Sequence, residues 1–246
     1  MDQLSPSIDF TQPIDYAAFK DRVVLITGGA SGIGEGVARA LASHGALVSI
    51  VDFNAELGEA LAEELTSQGH KAKSFKCDTT DWSQQAAAFK ETVAWGSGRL
   101  DIVIPSAGLG GTSLKAELEK ATTADVPVQP DLRVLNVNLK AVYFTTSLAL
   151  HYFRHLSPSP APQLCLISSL AGYLGLPFAA DYCAAKFGVR GLWKTLRTDG
   201  GAREMGGCQV NLIAPTYIRT PMTAAFSDRL EASGVRVGVV GMSCKL

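Results

Sequence analysis

The chain has almost no net charge, 22 Lys and Arg against 23 Asp and Glu in 246 residues. Its bulk electrostatics therefore favour neither nucleic acid nor an anionic membrane surface as a partner. Its apolar runs are strand-sized and far too short to span a bilayer. Residues Met1 to Lys20 lack the basic start and apolar core of a secretory signal and read as a short surface arm. Cysteine is sparse: Cys77, Cys165, Cys183, Cys208 and Cys244 are widely spaced, odd in number and form no C-x-x-C pair. Such thiols suit a reducing compartment, so a cytoplasmic location is expected. The four histidines show no metal-ligand spacing with cysteines or carboxylates, and no metal site is expected. No internal repeat or domain boundary is visible.

Hydrophobic residues make up 47% of the chain and charged residues 18%, a balance that suits a large buried sheet. Strand-like and helix-like segments alternate from near the start. Strands are predicted at 22–27, 46–51, 71–77, 100–104, 163–168 and 208–214. Helices are predicted at 34–44, 55–67, 82–95, 131–156 and 179–203, with a loop rich in Gly, Thr and Pro at 109–130. The strands are rich in Val, Ile and Leu along their whole length, as expected where both faces are covered. The pattern predicts an α/β chain: a Rossmann-type doubly wound parallel sheet in three αβα layers, one domain with right-handed crossovers.

The first strand runs directly into Thr27-Gly28-Gly29-Ala30-Ser31-Gly32-Ile33-Gly34. Glycines here permit a tight turn and close backbone approach, and a helix opening at about Gly32 presents free N–H groups to a pyrophosphate. The spacing differs from G-x-G-x-x-G, but its place between a strand and a helix is the same. Asp52 ends the second strand, where a carboxylate can accept the adenosine ribose hydroxyls and would repel a 2′-phosphate. Neither Ser31 nor Phe53 supplies a cation for such a phosphate, so NAD is favoured over NADP. Asp52 can equally cap the next helix, and both roles hold at once. Asp78 and Ser106-Ala107-Gly108 follow the third and fourth strands, where ligands gather in an open sheet. Asp78 can meet the adenine amino group and the small residues leave room for adenosine; plain turn chemistry is the other reading.

Tyr182 and Lys186 stand four residues apart on a predicted helix, thirteen positions after Ser169. A shared helix face lets the phenol and ammonium reach one point, and a fixed positive charge eases phenol ionisation. Together with Asn136-Val137-Asn138, Ala107-Gly108, Ile167-Ser168-Ser169, Ala214-Pro215 and Thr220-Pro221, this order resembles the short-chain dehydrogenase/reductase family of Tyr-x-x-x-Lys type over about residues 20–222. The resemblance implies that Tyr182 exchanges a proton with the substrate oxygen and that Ser169 holds that oxygen. It implies that Lys186 bonds the nicotinamide ribose and lowers the phenol pKa, and that Asn138 distorts the long helix and holds a water leading from Lys186 to solvent. Ile218 and Thr220 would meet the nicotinamide carboxamide. A loop cap for Ser169 and a helix-bending polar residue at Asn138 are the plainer alternatives.

The chain departs from the family pattern at three places. Pro105-Ser106 replaces an Asn-Asn pair, and Thr216 follows Pro215 where glycine is usual, which predicts a shifted nicotinamide loop. Residues 223–246 form a shorter ending than the family's lid, helix and seventh strand, with a helix predicted at 224–232 and a strand at 235–240; truncation or alternative splicing is the expectation. Leu109, Leu174, Leu176, Phe178, Tyr217, Met222 and Phe226 are expected to form an apolar pocket wall, although apolar residues in such loops can equally be core. This points to a hydrophobic secondary alcohol or ketone, and the amino-terminal arm and the 109–130 segment resemble fungal secondary-metabolism members similar to hydroxyanthraquinone-type polyketide dehydrogenases. A homodimer or homotetramer through the helices at 131–156 and 179–203 is expected. The alternatives are a catalytically impaired NAD-binding protein and an NADPH-dependent ketoreductase.

Overall fold

A computed structural model describes residues 15–120, 127–156, 160–177, 179–198, 201–224 and 238–239. A 3-10 turn at Tyr16–Phe19 leads into β1 (Val23–Thr27), α1 (Gly32–Ser43), β2 (Leu47–Asp52), α2 (Ala55–Ser67), β3 (Lys71–Lys76), α3 (Trp82–Trp95) and β4 (Ile102–Pro105). Next come α4 (Leu114–Leu118), α5 (Arg133–Leu135), a π-helical stretch (Asn136–Ala141), α6 (Val142–Leu156), β5 (Gln163–Ile167), a 3-10 turn (Leu170–Gly172) and α7 (Ala180–Leu196). The described elements end with α8 (Ala202–Gly206), β6 (Gln209–Ile213), β7 (Ile218–Arg219) and β8 (Gly238–Val239). Six strands form one parallel sheet in the order β3-β2-β1-β4-β5-β6.

Alternation along the strands builds a core on each face. Val23 and Leu25 of β1 point with Val103, Leu164 and Leu166 toward Phe89 of α3, Phe153 of α6 and Val189 of α7. Val24 and Ile26 point the other way, with Val48, Ile50 and Ile102, onto Ala38, Ala42, Leu61 and Leu65 of α1 and α2. These residues have essentially no solvent exposure, so burial on both faces explains the unbroken apolar strands. Pro105 fits at the end of β4 because the register with β5 covers only Ile102 and Val103. Its missing N–H therefore removes no ladder bond on that side.

The structure corrects several predicted boundaries. The predicted helix 131–156 begins at Arg133, whose N–H donates to Asp131 Oδ1 (2.9 Å), and passes through a π-helical stretch before α6. The Ala141 carbonyl at the end of that stretch accepts from Gln85 Nε2 (3.1 Å) and Thr145 Oγ1 (2.9 Å). The predicted helix 179–203 is two helices. Gly201 lies so close to the Leu196 carbonyl that a side chain there would collide with it, and the chain turns before α8. The predicted loop 109–130 contains α4, capped by Ser113. Of the predicted strand 235–240, Gly238–Val239 is described and pairs in parallel with β7. The predicted helix 224–232 lies outside the described residues apart from Ala224. Among the described residues, no helix is long and apolar enough to cross a membrane.

Candidate active site

In this strand order β1 and β4 are neighbours whose crossovers leave in opposite directions, which opens a crevice at their carboxyl ends. Gly28, directly after β1, has φ +64°, and a Cβ there would lie 2.6 Å from Ala107 Cα. The two loops are thus in backbone contact, an approach that only glycine allows. Gly28 N also donates to the Val51 carbonyl (2.8 Å), tying the turn to β2. Ser31 precedes α1 but its hydroxyl makes no capping bond to the amides of the first turn. Ser31, Gly32 and Ile33 line a cavity of about 610 Å³ that runs along the crevice. Gly34 lies behind them within α1 and is not part of the wall.

Asp52 also lines this cavity. It does not cap α2: Asn54 does, by accepting from Leu57 N (3.1 Å). The Asp52 carboxylate instead accepts from Ala30 N (3.0 Å) and Asn54 N (2.9 Å), which fixes it between the glycine turn and the end of β2. Each oxygen keeps a further acceptor position for a ligand hydroxyl. Asp78, Ala107 and Gly108 line the cavity as well. Asp78 Oδ1 already accepts from Thr80 N and Thr80 Oγ1, both at 2.8 Å, so the turn role is present in the structure. Among the described residues, the cations in the cavity wall are Lys186 and Arg133, and Arg133 is paired with Asp131 (2.7 Å).

The other end of the cavity brings Ser169, Tyr182 and Lys186 together. Tyr182 and Lys186 sit one turn apart on α7, and Lys186 Nζ lies 5.5 Å from the centre of the phenol ring. Lys186 is 6% exposed, and its Nζ donates to the Ile167 carbonyl (3.0 Å) at the end of β5. Burial lowers its pKa to about 8. Ser169 accepts from Ala171 N (3.2 Å), capping the 3-10 turn, and its hydroxyl is close enough to Tyr182 to act on the phenol pKa. The structure corrects one expectation about Tyr182. Its pKa is raised, first by burial, and the neighbouring Ser169 hydroxyl lowers it only in part. Taking the phenolate out of water disfavours its charged form, and that cost sets the direction of the shift.

Asn138, fully buried in the π-helical stretch, does not reach the cavity wall. Its Oδ1 accepts from Leu109 N (2.7 Å) and its Nδ2 donates to the Leu109 carbonyl (2.8 Å), as a neighbouring strand would. Ile218 and Thr220 line the cavity, and Thr220 packs over Gly32. Thr223 holds that turn by donating to the Ile218 carbonyl (2.6 Å) and accepting from Thr220 N (3.0 Å). Thr216 also lines the cavity without adopting a left-handed backbone; among described non-glycine residues, only Asp21 and Ser97 do so. Of the expected apolar wall, Leu109 and Met222 line the cavity, whereas Leu174, Leu176 and Tyr217 do not. Phe178 and Phe226 lie outside the described residues.

Sequence reasoning gave no role to Ser168, whose buried hydroxyl donates to the Lys186 carbonyl (3.0 Å) and joins β5 to α7. The consecutive serines at the strand end were the available signal. Thr223 and Arg133 carried no signal of their own.

This arrangement fits a nicotinamide dinucleotide: a turn open to pyrophosphate, a fixed carboxylate at the ribose position, and a Ser-Tyr-Lys group at the far end. The fold and site together define an NAD(P)-type oxidoreductase. The short chain dehydrogenase sequence profile matches residues 22–231, and the chain belongs to that family of enzymes acting on CH–OH groups. It is 42% identical over 221 residues to a protein of Cochliobolus lunatus named NADP-dependent dehydrogenase clz5, covering 86% of this chain and 76% of that one. It is 42% identical over 220 residues to NADP-dependent dehydrogenase M3 of a Phoma species, covering 86% of this chain but 63% of the relative. It is 37% identical over 241 residues to the 5′-hydroxyaverantin dehydrogenase of Dothistroma septosporum, covering 92% of this chain and 77% of that one. A crystal structure of gox2181 superimposes with a TM-score of 0.77 over 92% of this chain and 88% of the other at 23% identity, a likeness of fold.

Proposed function

We propose that the chain interconverts a hydrophobic secondary alcohol and its ketone with NAD, and that it acts in fungal polyketide-type secondary metabolism. The observation that carries this reading is the convergence of Ser169, Tyr182 and buried Lys186 on the cavity that also holds the glycine turn and Asp52. Gly28, Ser31, Gly32, Ile33, Asp52, Asp78, Ala107, Gly108, Ile218 and Thr220 would hold the dinucleotide, with Lys186 on its nicotinamide ribose. When bound, the cofactor supplies the hydride acceptor and a positively charged ring. In oxidation, Ser169 orients the substrate hydroxyl and Tyr182, as phenolate, takes its proton while the carbon–hydrogen bond gives up hydride and the carbonyl forms. In reduction, Tyr182 returns that proton to the carbonyl oxygen. Lys186, held near the phenol by the Ile167 carbonyl, supplies the positive charge that favours phenolate.

Leu109 and Met222 at the substrate end support an apolar substrate. The names of the relatives in Cochliobolus and Dothistroma support the metabolic setting. Those names also favour an NADP-dependent reading, against which stands the Asp52 carboxylate in the cavity wall. The free thiols Cys77, Cys165, Cys183 and Cys208 accord with a cytoplasmic protein. Tyr143 of α6 and Phe187 of α7, 58% and 43% exposed, support a homodimer or homotetramer through these helices. The decisive assay gives the purified protein NAD or NADP with a panel of secondary alcohols. Faster reduction of NAD, with the preference diminished in Asp52→Ala, supports the proposal. Faster reduction of NADP overturns the cofactor assignment, and tight dinucleotide binding without turnover on any alcohol indicates a binding protein instead.

A further inference from the structure

Beyond the Ser-Tyr-Lys group, the structure places one unassigned carboxylate next to Tyr182 in the chain and bonded to the segment that follows Leu109. Asp181, in the first turn of α7, accepts Thr112 N at 3.0 Å through Oδ1 and 3.2 Å through Oδ2, and Thr112 Oγ1 at 2.8 Å. Its Oδ1 also accepts the backbone N–H of Tyr182 (2.7 Å). Thr112 lies 69 residues earlier, at the end of the segment that carries the cavity-lining Leu109. That segment therefore has two anchors. Asn138 holds both backbone groups of Leu109, and Asp181 holds Thr112 through backbone and side chain together.

Between the anchors lie Gly110 and Gly111. A Cβ on Gly111 would lie 2.7 Å from Tyr182 Cβ and 3.1 Å from Ala179 Cβ, so the backbone is pressed flat against the tyrosine with no room for a side chain. A Cβ on Gly110 would meet Met222 Cγ at 3.7 Å, an ordinary van der Waals contact, so a small side chain has room there. Residues 109–112 thus form a strap packed against Tyr182 at its Cβ, entering the cavity wall at Leu109 and tied down at its far end by the Asp181–Thr112 bonds. The carboxylate is well placed for this work. α7 has no capping side chain at Ala179, and an acid in its first turn is favoured by the exposed amides there.

We propose that Asp181 and Thr112 form a latch that fixes Leu109–Thr112 over Tyr182, acting as positioning residues that set which substituents beside the carbinol carbon the site accepts. The proposal rests on the hydride-transfer reading of Tyr182, but the latch has a readout of its own. Backbone amide exchange at residue 112 reports it in the intact protein whether or not a substrate turns over. Asp181→Asn raises exchange at 112 while the amide of Leu109, held by Asn138, stays protected. Unchanged exchange at 112 overturns the latch.

Kinetics then test its consequence. Thr112→Val removes the hydroxyl donor but keeps the shape and the backbone N–H. It changes KM for a bulky apolar secondary alcohol by about tenfold, the scale of losing one charge-assisted hydrogen bond, and leaves kcat for a small secondary alcohol and the Kd for NAD within about twofold. Thr112→Ser, which restores the hydroxyl, returns KM to the wild-type value. Equal changes for bulky and small alcohols, or a weakened NAD Kd, overturn the positioning role. Wild-type protein that binds NAD yet oxidises no alcohol counts against the hydride-transfer reading alone, because the exchange experiment still decides the latch.

Discussion

Burying Lys186 sets up a stability test with a defined sign. Its ordinary pKa of 10.5 falls to about 8 in the folded chain because burial disfavours the ammonium. The folded state therefore carries its full penalty below about pH 8, and the penalty fades as pH rises toward 10.5. The two values give a cost of about 3 kcal/mol at about pH 7.5 and about 1.5 kcal/mol at about pH 9.5. In Lys186→Met the side chain does not titrate, and the Ile167 carbonyl loses its donor at every pH. That loss is a constant offset. Other groups titrate in both proteins and cancel in the difference. Urea unfolding across this range, without cofactor, should show the wild type gaining about 1.5–2 kcal/mol on the variant as pH rises. Parallel stability curves, or a wild type that loses ground, would refute the burial argument.

Removing the Ser169 hydroxyl takes away the polar neighbour that lowers the Tyr182 pKa. Ser169→Ala should therefore reduce kcat for oxidation by about 100-fold or more, and its pH–rate profile should move to higher pH. An unshifted profile would separate Ser169 from the phenol. Asn138→Ala strips both backbone partners from Leu109 and should lower stability by about 2–4 kcal/mol in urea unfolding. A loss under about 0.5 kcal/mol would mean that water replaces the amide at no cost.

Much of the architecture was legible because burial writes itself into composition. Five consecutive buried residues in β1 leave no polar alternation, and that pattern marks a covered parallel strand. The glycine turn was legible too, since the contact between Gly28 and Ala107 permits no side chain. The π-helical stretch was not legible in apolar spacing, which a one-residue widening hardly alters, and the distortion at Asn138 was expected only through the family resemblance. The split after α7 did have a signal in Gly200-Gly201, which the run of helix-forming residues before it obscured. The Tyr182–Lys186 spacing is visible in sequence, but its electrostatic consequence depends on depth. Proximity alone argues for a lowered phenol pKa, and burial reverses the direction. Asp181 was invisible for another reason: its partner, Thr112, is brought to it only by the completed fold.

The central claim is that Tyr182 moves the substrate proton in a site assembled to hold a nicotinamide dinucleotide. Tyr182→Phe keeps the ring packed on α7 and removes only the hydroxyl. Its NAD affinity, followed by fluorescence titration, and its turnover of a secondary alcohol that the wild type oxidises should be measured on one preparation. The account predicts a Kd within about threefold of wild type and a kcat lowered by at least about 1,000-fold. A variant that binds NAD normally and still oxidises the alcohol at a rate near wild type would contradict it.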